Sequence, residues 1–140
     1  MTDEVRTPVL LHVFADEKGQ THLRRVALPL SAGTATRPFG TVETGLRIAG
    51  DDYKPGWHRS PARRFALTIF GEFEVEMSDG SRHPIKPGDL VFLDDVAGDG
   101  HRTIPSTGRL VHLYLNVSPD FDLEAWIQSL GMPAVTGARN

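Results

Sequence analysis

The chain contains no cysteine. Disulfides, thiolate metal ligands and a cysteine nucleophile are therefore excluded. It also lacks a long apolar run: each uninterrupted stretch is a few residues, far short of the ~20 that a membrane helix needs. Positive charge is scarce and scattered. There are 15 Lys and Arg against 18 Asp and Glu, a net charge of −3, and no basic run exceeds two residues. A dense basic face of the kind that grips nucleic acid is therefore not expected. The opening Met1-Thr2-Asp3-Glu4-Val5-Arg6 has neither a basic n-region nor an apolar h-region, so no secretory leader is expected. Together these absences lead us to expect a soluble, cytoplasmic protein that engages neither membrane nor nucleic acid.

What is present is punctuation. The 140 residues fit one domain with a real core, and 14 glycines and 10 prolines divide them into short segments. Val9–Phe14 reads as a strand, Asp16-Glu17-Lys18-Gly19 as a turn, and His22–Leu30 as the returning strand of a hairpin. Residues 31–40 read as loop. Thr41–Ile48 alternates, with Val42, Leu46 and Ile48 on one face and Glu43 and Arg47 on the other. Phe65–Phe70, Phe73–Met77, Arg82–Lys86, Leu90–Leu93, Arg102–Ile104 and Leu110–Val117 follow as further strands. Ser78-Asp79-Gly80-Ser81 makes a hairpin turn, with Gly80 available for positive φ. Many short strands with frequent turn signals indicate a sandwich or barrel, and no βαβ rhythm competes. One helix is expected at about 119–130. Ser118-Pro119 reads as its cap and first residue, Asp120 and Asp122 as the acidic first turn, and Gly131 as the stop. Phe121, Ala125, Trp126, Ile127 and Leu130 give it an apolar stripe. Residues 133–140 read as a loose tail.

The residues that carry chemistry cluster in the middle of the chain. His58 lies in Gly56-Trp57-His58-Arg59-Ser60-Pro61. His101 closes a segment that opens at Pro87-Gly88-Asp89 and passes through Asp94-Asp95 and Gly98-Asp99-Gly100. Between them Phe70-Gly71-Glu72-Phe73 turns one strand into the next. On these residues the chain resembles the cupin family, whose members are jelly-roll barrels with a central pocket. It looks most like a group of small stand-alone bacterial cupin-domain proteins. In that family two histidines and a glutamate of a first motif and a histidine of a second usually bind one divalent metal. His58 matches the first histidine, Gly71 the closing glycine, and Gly88 and His101 the second motif. The second histidine position holds Ser60, the glutamate position Arg64, the opening glycine position Asp52 and the final asparagine position Pro105.

The resemblance implies an all-β cupin barrel over residues 1–140, its core at about 41–117, with an N-terminal hairpin at 9–30 and one C-terminal helix. If Arg64 faces the pocket, alternation brings Ala66 and Thr68 with it, while His112, Tyr114 and Asn116 share a face of the last strand. Arg47, Arg64, His58, His101 and His112 would make that pocket cationic, which suits an anionic or carbonyl-bearing small molecule because guanidinium grips a carboxylate with two prongs. The expected function is binding of such a molecule, with metal-independent proton transfer of isomerase or lyase type. His58 or His101 would be the base, Tyr114 an acid, and Arg47, Arg64, Thr68 and His112 substrate contacts. No cofactor is expected. The alternatives are a metal-dependent oxygenase or isomerase, with a divalent ion at His58 and His101, and a non-catalytic ligand-binding barrel.

The remaining features carry blander expectations. His83 is expected at the surface, and His12 and His22 in solvent or at a dimer face. Asp94-Asp95 is expected in a turn or solvated loop, Trp57 and Trp126 in the core or an interface. A homodimer is expected in which residues 9–30 contribute, because unpaired edge strands tend to be covered.

Overall fold

Alternation places the strands, and the glycine and proline turns end them. The structure, a computed structural model, describes residues 8–30, 32–50 and 52–130. Among these the elements are β1 (Val9–Ala15), β2 (Thr21–Ala27), β3 (Thr41–Ala49), β4 (Arg64–Phe70), β5 (Phe73–Glu76), β6 (Arg82–Ile85), β7 (Leu90–Leu93), β8 (Arg102–Pro105), β9 (Leu110–Val117) and α1 (Leu123–Gln128). The described residues are all-β with one short helix. A six-stranded sheet runs β2-β1-β7-β4-β9-β3, and a three-stranded sheet runs β6-β5-β8. Every pairing among these named strands is antiparallel except that of β1 with β7. The N-terminal hairpin is thus built into the large sheet, with β1 inside it and β2 at one edge.

Each face of the large sheet has its own core, as a period of two requires. On one face Leu10, Phe65, Phe92 and Val117 pack against Leu123, Trp126 and Leu130 of the helical segment. On the other Leu11, Val13 and Val91 pack against Val75, Met77 and Ile85 of the small sheet. The order is helix, six-stranded sheet, three-stranded sheet. Phe92 and Leu10 are completely buried. Truncating either to alanine belongs with core deletions that cost about 2–5 kcal/mol.

The helix begins later than the sequence suggests. Its cap is Asp122, whose side chain accepts a hydrogen bond from the Ala125 backbone N–H at 3.0 Å. Ser118 cannot cap because its hydroxyl and its N–H both donate to the Gly40 carbonyl, tying it to the start of β3. Pro119 and Asp120 form a turn closed by the Phe121 N–H on the Ser118 carbonyl, and Glu124 is the acid of the first helical turn. Ala125 is exposed, while Leu123, absent from the expected stripe, is buried with Trp126. The expected stop at Gly131 and the tail at 133–140 lie outside the described residues.

His12 is a second departure. It is 7% exposed, not in solvent. Arg24 Nε donates to its Nδ1 at 2.8 Å, so its proton must sit on Nε2, which donates to Asp94 at 3.0 Å. Arg24 also pairs with Glu124 of α1, and Arg63 with Asp94, so a chain of charges fastens the helix to the sheet. Burial alone would push the Asp94 carboxyl up; the hydrogen bonds from His12 and Arg63 outweigh it and hold it below the usual carboxylate range. His22 pairs with Asp16, and His83 meets the Ser81 hydroxyl. Trp126 is core, but Trp57 is 45% exposed, with the Arg102 guanidinium 5.5 Å from its ring centre. Among the described residues no helix is long and apolar enough to cross a membrane.

Candidate functional site

A cavity of about 140 Å³ lies between the two sheets. Its floor is the inter-sheet core, including Val13, Val75, Ile85 and Val91. Its polar wall contains all seven residues singled out from the sequence: Arg47, His58, Arg64, Thr68, His101, His112 and Tyr114. The reason is register. Arg47 lies opposite His112, Thr68 opposite His112, and Ala66 opposite Tyr114, so β3, β4 and β9 present these side chains on one face.

The two histidines are joined through their backbones. His58 and His101 form an isolated antiparallel bridge, with N–H to carbonyl distances of 2.9 and 2.8 Å. Cross-strand partners share a face, and the two imidazole centres are 4.6 Å apart. This close pairing needs Gly100. Its φ is +79°, and a Cβ there would sit 2.3 Å from the His58 carbonyl oxygen.

Both rings are oriented by their Nδ1 atoms. His58 Nδ1 lies 2.9 Å from the Gly56 carbonyl oxygen. A carbonyl only accepts, so Nδ1 carries the proton and Nε2 a lone pair. His101 Nδ1 lies 2.6 Å from Asp95 Oδ2, with His101 3% and Asp95 0% exposed. A buried carboxylate on Nδ1 fixes the tautomer, leaves Nε2 as the basic atom and stabilises the imidazolium when that atom takes a proton. Asp95 therefore belongs to the site, contrary to the expectation of a solvated loop. The expectation failed because neighbouring extended residues point apart: Asp94 reaches out to His12 and Arg63, while Asp95 reaches in to His101. The sequence offers no local signal for this pairing, because the path of the loop between Asp95 and His101 decides it. Tyr53 and Thr103 also line the cavity and were not anticipated.

The arginines are held differently. Arg64 donates from Nε to Asn116 Oδ1 at 2.8 Å, and its guanidinium lies 4.6 Å from the Tyr114 ring centre. Asn116 in turn donates to Glu43 at 3.1 Å. Burial lowers the Arg64 pKa, but a guanidinium remains charged at neutral pH. Arg47, more exposed, lies over Tyr53 at 5.0 Å. Among the described residues no carboxylate lines the cavity.

His112 is pushed below the ordinary histidine range by burial and then by the charge of Arg47. Its Nε2 is buried without a hydrogen-bond partner among the described residues. Because the folded value lies below the unfolded one, His112 favours folding above the ordinary pKa of about 6.5, and that contribution fades as pH falls toward the folded value. An NMR titration should show His112 taking up its proton at lower pH than an ordinary histidine, and Arg47→Ala should move its midpoint up. A midpoint at the ordinary value in the intact protein would contradict the burial described here.

The residues at the four positions implied by the cupin resemblance do not form a four-ligand metal centre. Ser60 is buried, and its hydroxyl donates to the Ala62 carbonyl at 2.7 Å. Arg64 brings a fixed positive charge where that pattern has a carboxylate. Among the described residues no group of three or more His, Cys, Asp or Glu side chains is placed to hold a metal ion.

No family model matches this chain. No curated protein is significantly similar to it. Among solved structures, the crystal structure of protein NMB1881 from Neisseria meningitidis is similar at 16% sequence identity and a TM-score of 0.45, over 61% of this chain and 81% of that one. A likeness at that level bears on neither the site nor its chemistry.

Proposed function

We propose that this chain is a small cupin-type jelly roll whose cavity binds a small organic anion and moves a proton on it without a metal. The observation that carries this reading is the composition of the wall: two arginines, three histidines and no carboxylate among the described lining residues, with one histidine backed by a buried aspartate. Arg64 and Arg47 anchor a carboxylate or an enolate-like oxygen. The unpartnered Nε2 of His112 accepts a hydrogen bond from a substrate hydroxyl, or donates one in the other tautomer. His101 Nε2 takes a proton from carbon, and Asp95 stabilises the imidazolium that results. His58, 4.6 Å away between ring centres, or Tyr114 in the same wall returns the proton. Two facing sheets around a cavity, with both histidines in its lining, support the jelly-roll reading. The cavity volume limits the substrate to a few heavy atoms beyond its anionic group.

The test is solvent exchange. Small 2-keto, 2-hydroxy and 3-keto acids are incubated with the protein in D₂O, and loss of C–H signal is followed by proton NMR. Wild type should accelerate exchange for at least one of these classes. His101→Ala should reduce the rate by about a hundredfold or more, and Arg64→Ala should act mainly through weaker binding. The proximity of His58 and His101 also favours a second reading, a divalent ion held by those two side chains and completed by solvent or substrate. Stoichiometric metal in untagged protein, lost in the His58→Ala/His101→Ala variant, together with no exchange on any acid, would reverse the preference.

A further inference from the structure

β3 is an edge strand, and it is apolar where an edge is normally blunted. Among the described large hydrophobic residues the three most exposed are Ile48, Val42 and Leu46, at 70%, 66% and 62%, and all lie on β3. Leu46 lies opposite Leu113 and Ile48 opposite Val111 on β9, so the exposed surface continues onto the outer face of the sheet. Among the described residues nothing pairs with the free side of β3. Lone edge strands usually carry lysine, proline or inward charges that discourage pairing. β3 has neither lysine nor proline; its two charges, Glu43 and Arg47, lie on the cavity side, and because their signs are opposite they can match a second copy of the strand instead of repelling it.

Those two charges are placed symmetrically about Gly45. We propose that β3 pairs antiparallel with β3 of a second copy of this chain, about a two-fold axis at Gly45. In that register Glu43 faces the partner's Arg47, Arg47 faces the partner's Glu43, and Thr44 faces the partner's Leu46. The same strand thus supplies both halves of two ion pairs, as an isologous contact requires. Moving the axis to Thr44 or Leu46 leaves neither charge opposite its counterpart. The bulge between Thr41 and Glu43 limits the ladder to the segment that carries the charges. Glu43 uses Oε1 for Asn116, which leaves Oε2 without a hydrogen bond among the described residues. Because Arg47 lines the cavity, the second copy brings a carboxylate to the rim of the site and trims its positive charge.

The inference stands on exposure and register and does not depend on the proposed reaction. Its test is the solution mass of the intact chain by light scattering during gel filtration, with circular dichroism to check folding. Wild type should be a dimer at micromolar concentration. Leu46→Lys, at a site already exposed, should give a folded monomer. Glu43→Arg and Arg47→Glu should each weaken the dimer by about tenfold or more, since each puts like charges opposite one another twice. The Glu43→Arg/Arg47→Glu swap should restore it. A monomeric wild type would overturn the proposal. So would a dimer indifferent to Leu46→Lys, which would move the interface to the opposite edge at β2. Failure of the double swap to restore pairing would overturn the register.

Discussion

Replacing Gly100 with alanine should lower the melting temperature by roughly 10 °C or more and separate the two histidines. The effect has two parts. Gly100 has a φ of +79°, where a side chain strains the backbone by about 1–3 kcal/mol. A Cβ there would also lie 2.3 Å from the His58 carbonyl oxygen, 2.5 Å from its carbon and 3.0 Å from the Arg59 nitrogen, all of them backbone atoms that cannot rotate away. The bridge between His58 and His101 must open to admit it, so the total reaches about 2–5 kcal/mol. Gly80→Ala is the matched control. Gly80 has a φ of +88° but nothing within 4 Å of a built Cβ, so it carries the strain without the clash. Gly100→Ala should melt well below Gly80→Ala, and its His58 and His101 resonances should lose their mutual contacts. Equal melting of the two variants would mean that the chain does not pass His58 as closely as described.

This result would also show why one part of the site was legible in the sequence and another was not. The strands were legible because alternation is local: Thr41–Ala49 and Leu110–Val117 reveal which side chains share a face before any partner is known, and register then gathers Arg47, Thr68, His112 and Tyr114 in one wall. The turn at Gly80 was legible for the same reason. Long-range events were not. The parallel pairing of β1 with β7 joins segments about eighty residues apart, and it puts His12 beside Asp94 and buries it. Nothing near His12 in the chain announces that. Asp95 looked like half of a solvated acidic pair because its partner, His101, is reached only through the path of the intervening loop. The late start of α1 is similar: Ser118 has the chemistry of a cap, but the Gly40 carbonyl, far away in sequence, takes its hydroxyl first. Propensity describes what a residue can do, and tertiary contacts decide which of those options is used.

Ser60→His combined with Arg64→Glu should raise affinity for Ni or Zn by orders of magnitude over wild type. Both positions line the cavity beside His58 and His101. The bridged histidines His58 and His101 offer two imidazole Nε2 atoms in a wall that also carries two guanidinium groups, and two neutral ligands beside fixed positive charge hold a divalent ion poorly. The double substitution adds a third imidazole and exchanges a cation for an anion, giving three nitrogen donors and one carboxylate. Arg64→Glu alone should weaken anion binding and raise metal affinity by less than the double variant does, because two histidines and one carboxylate supply three ligands where the double variant supplies four. The double variant should be less stable than wild type without metal. It loses the Arg64 bond to Asn116, the contact of Arg64 with Tyr114 and the Ser60 bond to Ala62, and it gathers unsatisfied polar groups in a half-buried wall. Added metal should return more stability than was lost, since a ligand that binds only the folded state stabilises it by mass action. Calorimetric titration and melting curves with and without Ni decide the matter. Equal metal affinity in wild type and double variant would mean that Ser60 and Arg64 do not face the histidines, and the cavity wall described above would have to be redrawn.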